Sequence, residues 1–168
     1  MLLSVSRFAK AEQPEFHFLP GALVFGGGAG GSIKGSQNVG GSSGFFVMDT
    51  FVSYHVTPNV GLIGGVQADV AESQMIRMNA GAQYHIDQLN SPLLPYALLQ
   101  LSYTRMMNIL GADMNWVGAR VGLGVDCLIR KNLLGGMLIA SHLGSTLSAR
   151  PAFYGTWEFT AYAGYRLF

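Results

Sequence analysis

Charge is what this sequence has least of. Only 11 % of its 168 residues are Asp, Glu, Lys or Arg, against about 25 % in an ordinary soluble domain. So few ions cannot clothe a whole surface in water. Ten basic and nine acidic residues nearly cancel to a formal net charge of +1, which leaves no basic field for nucleic acid. Long hydrophobic runs are missing too: no stretch of about 18 consecutive apolar residues occurs, which argues against membrane helices. The nearest rival, Leu133 to Ala149, lacks every charged type but is interrupted by Gly135, Gly136, Ser141, His142, Gly144, Ser145 and Thr146. Cysteine is nearly absent. The single Cys127 excludes an internal disulfide.

What the chain does contain is glycine, at 23 residues, and a polarity that flips at every second position. From 117 to 129, Val117, Ala119, Val121, Leu123, Val125, Cys127 and Ile129 share one parity. Between them stand Gly118, Arg120, Gly122, Gly124, Asp126 and Leu128. Successive side chains of a strand point to opposite faces, so one face is apolar and the other small and ionic. With so little charge to meet water, the reading is an all-β, closed antiparallel eight-stranded up-and-down transmembrane β-barrel. Lipid lies outside and polar side chains fill the interior.

Eight strand candidates follow one another: about 15–27, 44–56, 60–71, 75–86, 93–105, 115–129, 133–143 and 153–168. The Gly/Ser-rich residues 28–43, the Thr57-Pro58-Asn59 turn and residues 87–92, 107–114, 130–132 and 144–152 separate them. The connections are expected to alternate long and short, as in bacterial outer-membrane barrels, with both termini periplasmic. Parity puts Phe18, Ala22, Val24, Tyr54, Tyr84, Leu101, Tyr103, Trp157 and Tyr165 on the lipid side. It puts an interior network of Glu15, Asp49, Asp69, Arg77, Arg120, Asp126, Glu158 and Arg166 on the other, with His17, His55, His85 and His142. Aromatics gather toward strand ends, where amphipathic rings favour the interface. Residues 1–14 read as an N-terminal tail or the remnant of a signal peptide, with Ala9-Lys10-Ala11 in the form of a cleavage site; residues 15–168 read as the barrel.

The hairpin Tyr54-His55-Val56-Thr57-Pro58-Asn59-Val60-Gly61-Leu62 and the terminal Gly164-Tyr165-Arg166-Leu167-Phe168 resemble the small outer-membrane barrels, the OmpA-like and OmpX-like group. The resemblance implies a place in the outer membrane of a Gram-negative bacterium. It also implies that Phe168 is the aromatic recognised by the barrel-insertion machinery. Arg166 and Gly164 depart from the apolar alternation usually counted back from that residue.

Function is less legible. An eight-stranded interior only just admits side chains, and buried charges need partners, so the ionic network is expected to plug the barrel. A role in structure or protein interaction follows, with outer-membrane lipid and other envelope proteins as partners, no cofactor and no metal. The alternatives are a narrow pore for ions or small molecules, a soluble lipocalin-like barrel with inverted faces, and a lipid-modifying enzyme. For the last, His142, Ser145 and Glu158 loosely resemble the set in lipid A deacylases. Those enzymes place His and Ser two residues apart, and here three separate them. The run Gly26 to Gly31 lacks the Gly-Lys-Ser/Thr of a phosphate loop and reads as external loop.

Overall fold

The computed structural model describes residues 18–34, 44–69, 75–86, 91–109, 112–148 and 151–167. They form eight strands: β1 (Leu23–Lys34), β2 (Gly44–His55), β3 (Val60–Asp69), β4 (Met75–His85), β5 (Leu93–Ile109), β6 (Ala112–Arg130), β7 (Leu133–Thr146) and β8 (Phe153–Leu167). Each pairs antiparallel with the next, and β1 pairs with β8, so the sheet closes into a barrel with no free edge. The start of β1 and the end of β8 lie together, at what is here termed the terminal end.

Alternation decides what faces where. Leu99, Leu101, Leu123, Met137, Ile139 and Phe159 stand exposed on the outer wall, Leu101 at 75 %. Tyr54, Tyr84 and Tyr165 ring the terminal end, and Phe46, Tyr103 and Trp157 the far end. An apolar band between aromatic girdles is the exterior of a membrane-spanning barrel. At the terminal end, Thr57 Oγ1 accepts from the amides of Asn59 and Val60, which builds the turn that joins β2 to β3.

Three sequence expectations are corrected. Residues 28–34 belong to β1 and are not loop: Gly26 to Gly31 run between β2 and β8 in continuous register. Glycine suits that wall because a Cβ at Gly26, Gly28 or Gly30 would strike the β8 backbone. Second, the chain from Phe18 into the first residues of β1 is inverted relative to its expected parity. Phe18, Ala22 and Val24 are buried inside the barrel, while Phe25 faces out. A turn with Gly21 at φ +88° places them there, held by the Gly21 amide on the His55 carbonyl at 2.8 Å. Third, connection length does not alternate. Residues 86–92 separate β4 from β5, whereas only residues 110 and 111 separate β5 from β6. Residues 106–109 contain no Pro or Gly to stop the ladder, and Met106 has an interior contact with Met75 and Trp116. The pairing therefore continues past a bulge to Ile109 and Ala112.

The inward glycines have a second use. Tyr96 is paired across strands with Gly124, Tyr162 with Gly136 and Phe51 with Gly65. A Cβ on any of these glycines would collide with the paired residue or with β2 backbone. The Tyr96 and Tyr162 rings thus occupy the space left by Gly124 and Gly136, the Phe51 ring reaches over Gly26, and together they fill a narrow interior.

The barrel interior as candidate functional site

The interior is layered. Toward the far end, Glu158 on β8 meets two guanidiniums. Arg77 on β4, directly across the barrel, pairs with Glu158 Oε1 and donates to Gln67 at 2.7 Å and Thr104 at 3.1 Å. Arg120 on β6 donates to Glu158 Oε2 at 3.1 Å and Gln100 at 3.1 Å, and lies 3.5 Å from Asp49. All three ions of this triad are at most 3 % exposed. Breaking such a buried pair strands a charge without water, so the members hold each other in place.

Nearer the terminal end, Asp126 is held by a histidine and a tyrosine. His85 Nε2 lies 2.8 Å from one of its oxygens, and the Tyr162 hydroxyl donates to the other. Tyr96 hydrogen-bonds Tyr162 at 3.0 Å. At the mouth itself, Phe18 stacks on His55 with ring centroids 3.9 Å apart, and the Arg166 guanidinium sits 5.8 Å from the Phe18 centroid. Arg166 donates to the Lys131 carbonyl at 3.1 and 2.6 Å. Asp69 is buried on the inner face of β3.

Of the residues expected inside, Asp49, Asp69, Arg77, Arg120, Asp126, Glu158 and Arg166 all face inward. Among the described residues Asp49, Arg77, Arg120 and Glu158 make one cluster and Asp126 a second with His85 and Tyr162, while Arg166 holds the β6–β7 turn. Glu15, His17 and Phe168 lie outside the described residues.

His142, Ser145 and Glu158 are not brought together. His142 is buried and hydrogen-bonds Ser102, while Glu158 is occupied by the two arginines. Ser145 pairs with Val117 and Phe153 and shares their outward face. A nucleophile needs its base within about 3 Å, and here a barrel wall separates them. Among the described residues no three His, Cys, Asp or Glu side chains gather as metal ligands would.

Sequence reasoning missed the apolar half of the interior. Phe18, Val24, Leu94, Leu128 and Leu134 form one buried cluster, and Tyr96, Leu98, Leu138 and Ala140 another. The signal was present in β5, where Leu94, Tyr96 and Leu98 share parity with Gln100, Ser102 and Thr104. Between these clusters and the ionic layer lies a cavity of about 40 Å³.

No family model matches the chain, and no curated protein sequence matches it. Its fold nevertheless recurs in solved structures. The N-terminal β-barrel domain of Pseudomonas aeruginosa OprF aligns at a TM-score of 0.67 with 14 % identity, covering 88 % of this chain and 98 % of that one. Neisserial surface protein A aligns at 0.67 with 18 % identity, covering 86 % and 98 %. The outer membrane protein OprG from Pseudomonas aeruginosa aligns at 0.57 with 14 % identity, covering 90 % and 98 %. The chain thus has the fold of the small eight-stranded outer-membrane barrels, and at these identities the likeness speaks for the fold alone.

Proposed function

We propose that the chain is an integral outer-membrane protein of a Gram-negative bacterium whose role is structural or interactive. Its apolar wall anchors it in lipid, and its interior is plugged. The carrying observation is Glu158 on β8 held by Arg77 from the opposite wall and by Arg120 from β6, an ionic layer laid across the lumen toward the far end. An ion entering there would have to replace bonds made between buried charges, which is costly where water is excluded. Phe18, stacked on His55 at the terminal mouth, closes the second constriction.

In this reading both termini are periplasmic, Phe168 is the insertion signal, and the partners are outer-membrane lipid, the insertion machinery and other envelope proteins. The far-end rim, where β5 and β6 run on past Met106, is the surface available to such a partner. The fold shared with a protein named as a neisserial surface protein supports an exposed outer-membrane position.

Fractionation of native cells, with gel migration measured before and after heating, tests the location. Planar-bilayer recording of the purified full chain tests the plug. The expected trace is flat; discrete single-channel steps from the unmodified protein would instead establish the narrow pore.

A further inference from the structure

The interior cavity is lined by both polar and apolar side chains. Asn79, Thr160, His55 and Asp126 are among the first, and Leu98 and Leu138 among the second. Four polar atoms around it have no hydrogen-bonding partner among the described residues: both amide atoms of Asn79, Thr160 Oγ1 and His55 Nδ1. Each of these side chains belongs to a residue at least nine-tenths buried. Such groups are found bonded, to protein or to ordered water, because desolvation without replacement is unfavourable.

Asn79 stands on β4 and Thr160 on β8, on opposite sides of the closed sheet. Their side chains reach into a common space without a protein partner. An amide offers a donor and an acceptor at once, and a hydroxyl offers either. A ligand that satisfies both walls must therefore donate and accept in several directions. It must also be small: the cavity of about 40 Å³ compares with roughly 10–15 Å³ for each water site.

We infer that this chamber is a binding site for a cluster of about three water molecules, which bridges Asn79 to Thr160 across the lumen. The ionic layer of Arg77, Glu158 and Arg120 closes the chamber toward the far end. Phe18, with His55 and His85 around its ring, closes it toward the terminal end. Exchange with bulk water requires one of these seals to open, so the cluster is long-lived. The rival occupant is a small apolar species on the Leu98 and Leu138 side, which the same experiment detects.

The test is water–protein cross-relaxation on the full chain in lipid nanodiscs, followed by xenon titration of the same sample. The expected result is water peaks at the Asn79 side-chain amide, with NOE and ROE of opposite sign, and unmoved Leu98 and Leu138 methyls under xenon. In N79L/T160V the peaks should vanish and the methyls should shift, as the emptied chamber becomes dry. Absence of long-lived water at Asn79 in the unsubstituted chain overturns the inference. So do methyl shifts of that chain under xenon, or water peaks that survive the double substitution at full intensity. Should N79L/T160V fail to insert, the unsubstituted chain and T160V alone give the same discrimination.

Discussion

Glu158 is the side chain on which most of the interior depends. It answers Arg77 and Arg120 together, and Gln67 and Gln100 complete the shells of those guanidiniums. Glu158→Gln keeps the volume and removes the charge, depriving Arg77 of its buried counterion and leaving Arg120 with Asp49 alone, 3.5 Å away. The expected loss is about 3–5 kcal/mol, read as a lower urea midpoint for unfolding in detergent or vesicles. Replacing Asp49, Arg77, Arg120 and Glu158 together by apolar residues of similar size should cost far less, since no member of the cluster is then left as a stranded charge. A quadruple variant as unstable as the single one would show that shape, and not charge, matters there. Ser145 is a contrasting case. It lies on the outward wall away from His142, and Ser145→Ala should leave lipid A acyl chains and stability unchanged, as mass spectrometry and denaturation would record.

At the scale of elements, strands with little to distinguish them locally are held in register by aromatic-on-glycine pairs. Tyr96 over Gly124 joins β5 to β6, and Tyr162 over Gly136 joins β7 to β8. Gly124→Val would drive a branched side chain into the Tyr96 ring. Overpacking of this kind costs about 1–3 kcal/mol. Combining it with Tyr96→Ala should give a loss smaller than the sum of the two, because the ring that clashes is gone. Strict additivity in urea titrations would remove the pairing from the account. This pairing also shows why part of the fold was hidden in the sequence. Gly26 to Gly31 carries no alternation at all, so a strand there cannot be told from a loop until β2 and β8 are seen on either side. Met107 to Met114 misled in the same direction for a different reason. Its described residues extend β5 and β6, and their pairing depends on the neighbour the chain folds back on.

For the whole molecule, the decisive asymmetry is between an outer wall whose described charges, Arg105, Arg130 and Lys131, stand only near its ends and an inner wall that holds Asp49, Asp69, Arg77, Arg120, Asp126, Glu158 and Arg166. Leu123, 69 % exposed at mid-strand on the outer face, should not tolerate an ion. Leu123→Arg is expected to destabilise the barrel in lipid vesicles by about 2–4 kcal/mol. In a soluble barrel the same change on a solvated face would fall within about 0.5 kcal/mol. A neutral outcome in vesicles would therefore contradict the membrane-spanning reading.

Alternation alone determined the class of fold, the number of strands and the inward face of Asp49, Asp69, Arg77, Arg120, Asp126, Glu158 and Arg166, because a strand has period two and lipid rejects ions. That logic is local, and each strand carries it unaided. Tertiary structure decided what local pattern cannot encode: that Phe18 and Val24 turn inward to close one mouth, and that the Gly26–Gly31 run is wall. It also decided that the inward charges divide into separate clusters, which arginine answers which carboxylate being a matter of distance across the lumen. Barrel closure sets those distances, and no single strand contains them.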